Sequence, residues 1–424
     1  MCFSFQTYSQ NVYLRKFFDD SLSNPSIKTT LDGGWLKYSN ITYNGKKGIV
    51  IYKFTKRGVA TWKKFINYSD NMYCGGIIES NGGYLISGYF SKDLFLMKVD
   101  KNCNLVWFKV YSEQTEKLNT VYSLGKLTSG NYFIYGSLQD SVGDPIKKFI
   151  IKTDTSGNIL WNKKFSLVST QFNSAAPSPD DGIIANIENS TFKVSSSGNV
   201  DWFKSYGSFS SNITPLEVSD GFINAKNSYI YKIDVDGNLL WVSDNLNLSS
   251  ISDVKLAGGN LLVSGVYTSP GTTPDTVCHA IVQVDANGKF LKHVVFPNFK
   301  GSSPKLALIK DGSILTCGKD PSIHYNYLIK FLNLDSAGCS RTVIPYKESV
   351  GSIPLSFTNF SASDVNFSAV DNFPVISNIS VPEQYECYKE IFDLIPTPNK
   401  TIICDDNFIV KYTFSGELEG GNRT

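Results

Sequence analysis

Hydrophobic and polar positions alternate in short runs along most of this chain, without any sustained helical period. Runs such as GYLISGYF (83–90) and DLFLMKVD (93–100) are apolar at alternate positions or on both faces, and Gly, Asn, Asp or Ser bounds each of them. That pattern predicts short β-strands joined by tight turns. Two phrases recur. The first is a Gly turn followed by a strand, as in NGGYLISGYF (81–90), SGNYFIYGS (129–137), AGGNLLVSGV (257–266) and KDGSILTCGK (310–319). The second is a strand, an Asp- and Gly-bearing turn and a strand with Trp, as in MKVDKNCNLVWFKVY (97–111), IKTDTSGNILWNKKF (151–165), FKVSSSGNVDWFKSY (192–206) and YKIDVDGNLLWVSD (231–244).

The second phrase starts near residues 52, 97, 151, 192, 231, 282 and 329. A period of about 40 to 55 residues is that of propeller blades. Each unit reads as one variable strand, the GGY strand, the KxD strand and the Trp strand. The expected fold is all-β, a seven-bladed β-propeller of four-stranded blades over 11–345. Its first unit is read as starting at VYLRKFF (12–18), and closure as a pairing of terminal strands not identified by sequence. Residues 346–424 form a C-terminal β extension with a tail, read as a cap or a small added module. Residues 1–10 fit two readings, the remnant of a secretory signal peptide or a frayed terminus.

The repeat assigns structural roles. Asp100, Asp154 and Asp234 accept hydrogen bonds within the turn, and Gly157, Gly198, Gly237 and Gly288 take its left-handed position. Cys103 stands where other copies have Gly. Trp62, Trp107, Trp161, Trp202 and Trp241 are expected to pack between adjacent blades, with Lys292 in the Trp place of the sixth copy.

Composition narrows function mainly by exclusion. Charged residues are only 18% and the formal net charge is +2, so nothing points to nucleic acid. The three histidines, His279, His293 and His324, have no metal-ligand spacing, and no run approaches the length of a membrane span. DVDGN (234–238) lacks the later carboxylate of a calcium loop and reads as a plain turn. No metal or other cofactor is expected. Among eight cysteines no CxxC occurs; Cys339 and Cys387, flanking the change of pattern, are the candidate disulfide, while Cys103 and Cys317 read as buried thiols.

The run NGGYLISGYFSKDLFLMKVDKNCNLVWFKVY (81–111) resembles the propeller repeats of secreted bacterial surface proteins, DGGY followed by KxDxxGNxxW, common in type IX secretion and gliding bacteria. The likeness covers roughly 30–345 and implies a secreted setting at the cell surface, but carries no catalytic set. No sorting domain is found at the C-terminus, a departure from such proteins. A weaker likeness to the tryptophan-docking motif of quinoprotein dehydrogenases fails for want of a vicinal Cys pair. The Asp-box of sialidases has one residue fewer between Asp and Gly than the turn at Asp154.

The expected function is therefore a non-catalytic extracellular binding or adhesion module. Its partner would be a protein or a surface glycan, met by loops on one face. DSVGDPIKK (140–148), SPGTTPDTVCHA (269–280) and DPSIHYNY (320–327) are read as those loops, with His324, Tyr325 and Tyr327 as candidate ligand contacts. Two other readings stand beside it. One is a polysaccharide-acting enzyme, which would need Asp, Glu and His from several blades to converge in the channel. The other is a component of a surface or secretion machine or a phage tail, which would need an exposed apolar rim.

Overall fold

A computed structural model describes residues 12–17, 25–56, 58–68, 71–113, 118–139, 146–165, 174–187, 190–206, 213–269, 276–296, 302–320, 325–331, 334, 341–342, 362–364, 367–371, 375–378, 383–386, 403–404 and 410–411. Seven four-stranded antiparallel blades form a ring. Blade 1 runs outward from the central channel as Ser26–Thr29, Trp35–Tyr43, Lys46–Phe54 and Ala60–Asn67. Blade 2 is Met72–Ser80, Gly83–Phe90, Asp93–Asp100 and Leu105–Glu113, and blade 3 is Leu118–Lys126, Tyr132–Gln139, Lys147–Thr153 and Ile159–Phe165. Blade 4 is Ala175–Pro177, Ile183–Ile187, Ser190–Val194 and Val200–Ser205, and blade 5 is Leu216–Val218, Gly221–Lys226, Tyr229–Ile233 and Leu239–Val242. Blade 6 is Ser250–Ala257, Asn260–Ser269, Thr276–Val284 and Phe290–Phe296.

Blade 7 takes three strands from one end of the ring sequence and one from the other. Ser302–Leu308, Ile314–Asp320 and Tyr325–Phe331 are followed outward by Val12–Phe17, which pairs antiparallel with the third strand from Val12 opposite Phe331 to Phe17 opposite Asn326. This corrects the sequence reading twice. VYLRKFF does not open the first blade; it supplies the outer strand of the last one. The seventh copy of the repeat, in turn, does not supply its own outer strand. Arg341–Thr342 instead pairs with the outer strand of blade 6.

Four strands of the C-terminal extension are laid onto the blades, while Ile403–Cys404 and Val410–Lys411 pair with each other in a sheet of their own. Ala362–Asp364 adds a fifth strand to blade 3, Phe367–Asp371 to blade 2, Val375–Asn378 to blade 1 and Glu383–Glu386 to blade 7. The chain thus runs backwards around the rim, from blade 3 to blade 7, and closes open sheet edges as it goes. Unpaired outer strands would otherwise present free N–H and C=O groups.

The core is divided by blade interface rather than by blade. Each of seven apolar clusters draws on two neighbouring blades; Phe133, Tyr135, Ile150 and Phe165 of blade 3, for example, meet Ile183, Phe192 and Val194 of blade 4. The cluster between blades 7 and 1 joins Leu315, Cys317 and Leu328 to Trp35, Tyr52 and Phe54, so the ring is shut by the same packing that builds it. Sheets covered on both faces explain why so many strands are apolar at every position.

Candidate functional site: the channel wall and the two faces

The two repeated turns share one face of the ring, because in an up-and-down blade the first and third connections emerge on the same side. The Asp-Gly turn is a closed unit. Asp154 Oδ1 accepts from the Ser156 and Asn158 backbone N–H groups, both at 2.8 Å, and Oδ2 accepts from Asn158 Nδ2 at 2.9 Å. Asp100 and Asp234 repeat the arrangement with Asn104 and Asn238. Burial pushes the Asp154 carboxyl up, but the Asn158, Ser156 and Gly157 donors outweigh it and hold the group below its ordinary range. Gly157, Gly198, Gly237 and Gly288 have φ between 76° and 89°, and Cys103 adopts the same left-handed backbone at φ 64°.

Each turn is also a docking point for the preceding blade. Trp62 Nε1 donates to the Lys101 carbonyl at 3.0 Å, Trp161 Nε1 to Ser196 at 2.9 Å and Trp202 Nε1 to Val235 at 3.0 Å. The indoles of Trp107, Trp161, Trp202 and Trp241 lie against Gly157, Gly198, Gly237 and Gly288, where an added Cβ would sit 2.7 to 3.1 Å from the ring. Tyr111 and Tyr206 donate to the carbonyls of Gly157 and Gly237, each at 2.7 Å. Trp and Asp-Gly turn are thus two halves of one inter-blade joint. The buried Lys of the KxD strand adds a second tie, which the sequence reading did not single out. Lys152 Nζ, 6% exposed, crosses from blade 3 to Asp181 at 2.7 Å and the Ser196 carbonyl at 3.1 Å in blade 4.

The opposite face carries the second-to-third and outer-to-inner connections. The second-to-third connection varies from two residues between Tyr43 and Lys46 to seven between Gln139 and Lys147. Segments 140–145, 270–275 and 321–324, read from sequence as partner loops, lie outside the described residues, as does His324. Tyr325 begins the third strand of blade 7 rather than lying in a loop. Tyr327 is corrected outright. It is fully buried, 6.0 Å from the His279 ring, in the apolar cluster with Leu306, Ile329 and Phe331, because the strand starts two residues before it. Cys339 and Cys387 lie outside the described residues, while Cys74, Cys103 and Cys317 are free thiols. Burial pushes the Cys103 and Cys317 thiols up to about 12, so they are not nucleophiles at neutral pH.

The inner strands of all seven blades enclose a channel cavity of about 590 Å³. Four of these strands are bulged at the channel wall, between Cys74 and Gly76, Val121 and Ser123, Ile251 and Asp253, and Ser302 and Lys305. A bulge re-aims side chains and frees backbone groups. Here neighbouring blades are tied near the channel by side chains instead. Asp253 Oδ2 accepts from Leu306 N at 2.9 Å, Ser123 Oγ from Ala175 N at 3.0 Å and Asn40 Oδ1 from Cys74 N at 2.8 Å.

Charge is unevenly spread on this wall. Blades 6, 7 and 1 contribute Asp253, Lys255, Lys305 and Lys28, whereas blades 2 to 5 contribute uncharged groups such as Gly75, Val121, Tyr122, Ala175 and Pro215. Lys255 Nζ meets Asp253 Oδ1 at 2.6 Å, and Lys305 Nζ donates to the Ser252 carbonyl at 2.7 Å. Lys28 is exposed to the channel, yet desolvation by the surrounding wall lowers it to about 8; Lys255 adds to that and Asp253 opposes it. Burial also lowers Lys305 and raises Asp253, but the two neighbouring lysines more than reverse the latter. No sequence phrase marks these residues, since they lie in the variable first strand. Their one visible signal is a charge inside a short apolar run, as in ISDVKLA (251–257) and SSPKLAL (302–308). Among the described residues no group of three metal-ligating side chains occurs, and no helix is long and apolar enough to cross a membrane.

Comparison with known proteins places the architecture. No family model matches the chain, and no curated protein matches it. Solved structures do match. The Neurospora crassa Pan2 WD40 domain superposes with a TM-score of 0.50 at 10% identity, over 73% of this chain and 89% of that one. This chain has the propeller fold. The Dos1 propeller gives a TM-score of 0.49 at 10% identity over 73% of this chain and 78% of that one. A Bacteroides caccae protein of unknown function gives 0.42 at 10% identity over 67% and 94%.

Proposed function

We propose that this chain is a non-catalytic binding module, secreted and displayed at a bacterial cell surface, that recognises a protein or a surface glycan through one face of the propeller. Propellers commonly serve protein binding, and the fold supplies a broad rigid platform for it. The observation that carries the reading is the contrast between the two faces. Turn-face connections are near-uniform, mostly of two or five residues, and are spent on joining blades. Connections of the opposite face vary in length from blade to blade and are free to specify a partner. The secreted setting rests on the repeat phrase alone.

The test is a glycan array run beside a pull-down from the producing cell's envelope, with the native chain and a variant in which 140–146 is replaced by Gly-Ser. Retention of one glycan class or one stoichiometric protein, lost in the variant, supports the reading. Retention unchanged when the 140–146, 270–275 and 321–324 segments are all replaced removes the loop face from it.

A polysaccharide-acting channel is less well supported. Hydrolysis of a glycosidic bond generally needs two carboxyl groups, and the described channel lining offers Asp253 alone, already bonded to Lys255 and Leu306. A role in a larger surface assembly has one observation in its favour. The residue before the Trp position is large, apolar and exposed in four blades, as Val106, Leu160, Leu240 and Leu291. Changing all four to Ser would abolish co-purification of an assembly partner without touching glycan retention if that role holds.

A further inference from the structure

We propose that the arc of the channel wall built by Lys28, Lys255 and Lys305 is a binding site for a small ligand carrying two or more anionic oxygens, of the phosphate or polycarboxylate class. Three ammonium groups face one carboxylate there, so the arc holds an excess of two positive charges beside a partly open channel cavity of about 590 Å³. That is room for a small molecule and its water.

The geometry assigns the excess to this arc. Asp253 pairs with Ser264 and Lys305 with Cys317, the positions that precede Gly265 and Gly318 in their second strands, so the two stand at one height on adjacent blades. Lys255, opposite Leu262, lies one pleat nearer the turn face. Asp253 therefore serves Lys255 directly and holds the Leu306 backbone, while Lys305 is anchored on the Ser252 carbonyl. Each of those ammonium groups has three donors and uses only part of them. Lys28 has a different status. Among the described residues it makes no hydrogen bond and no ion pair, and its side chain is exposed to the water of the channel. Its three ammonium donors are therefore open to an anion bound at the arc. The depressed proton affinity of Lys28 agrees with this arrangement. The opposite wall of Gly75, Gly76, Val121 and Ala175 contains no ionised group that competes for an anion.

Lys28, Lys255 and Lys305 lie on first strands of their blades and not in the segments of the proposed partner surface, so the site stands or falls independently of that surface. The test uses the full chain, with inorganic phosphate and citrate as probes, titrated by calorimetry at low ionic strength and pH 7. Saturable binding of at least one probe is expected, with Lys28→Met and Lys305→Met each weakening it at least tenfold and Lys46→Met, on the exposed second turn of blade 1, leaving it unchanged. Affinity should fall as pH rises through about 8, where Lys28 loses its proton. Lys28→Arg keeps its charge there, so it should bind at pH 7 and lose that dependence. Phosphate distinguishes itself from citrate by which probe the native chain prefers. No saturation by either probe below about 10 mM overturns the proposal. So does an affinity that Lys28→Met and Lys305→Met share with the native chain.

Discussion

Trp161 of blade 3 donates its indole N–H to the backbone carbonyl of Ser196 in blade 4 at 2.9 Å, and the same ring covers Gly198 two residues later. The joint unites the two halves of the repeated phrase across a blade boundary. Trp161→Phe keeps much of the packing and loses the donor, leaving the Ser196 carbonyl to Lys152 Nζ alone. Its cost should be about 1–2 kcal/mol, read as a lower urea midpoint with the slope unchanged. A slope that changes instead would show that blades unfold separately.

Gly198 and Gly130 separate backbone strain from docking. Both have left-handed φ, at 89° and 88°, but a Cβ at Gly198 would stand 3.1 Å from the Trp161 ring while one at Gly130 meets nothing within 4 Å. Gly130→Ala should cost about 1 kcal/mol from the backbone alone. Gly198→Ala should cost roughly twice that. Equal midpoints in parallel melts would mean that the indole yields without cost.

Much of this was legible in the sequence. The Asp-x-x-Gly-Asn turn is local: Asp154 reaches Ser156 and Asn158, two and four residues on, so pattern and contact coincide. Tyr327 was misplaced because a strand start depends on the pairing of Asp320 with Tyr325, which an Asn- and Tyr-containing run does not advertise.

Acid should destabilise the ring well before its carboxylates titrate. Burial lowers His279 to about 3 and His293 to about 4 in the folded chain, against 6.5 ordinarily, so both are neutral inside and take up protons on unfolding. Stability present above pH 6.5 is lost as pH falls toward 4, by about 1.4 kcal/mol per pH unit for each histidine. His293→Leu removes a buried imidazole whose two nitrogens have no hydrogen-bond partner among the described residues, and should flatten the dependence between pH 6.5 and 4. Urea midpoints at pH 7, 5.5 and 4.5 decide it; identical slopes for native and variant would refute the assignment to His293. Asp181, raised by burial but held at about 2 by Lys152, Ser129 and Thr128, adds a loss only below about pH 4.

Removing residues 346–424 should uncover the outer edges of blades 1, 2, 3 and 7, because those sheets take their fifth strands from this segment. The expected result is a thermal midpoint lower by several degrees and concentration-dependent association through the exposed edges. A shortened chain that melts as the native one does and stays monomeric would show that the rim strands contribute nothing to stability.

By itself the sequence determined the repeat, the strand count per blade, the turn chemistry and the residues of the inter-blade joint, because all of these are written within a few residues or at one fixed period. Only the tertiary structure decided how the ring shuts, with Val12–Phe17 laid against Tyr325–Phe331, and how the C-terminal strands travel around the rim. It alone brought Lys28 to the same arc as Lys255 and Lys305, more than two hundred positions away in the chain. The physical reason is common to these cases. Turn and strand preferences act between near neighbours, whereas edge pairing and channel charge arise where closure of a seven-fold ring sets distant strands side by side, and no local pattern records which strands those are.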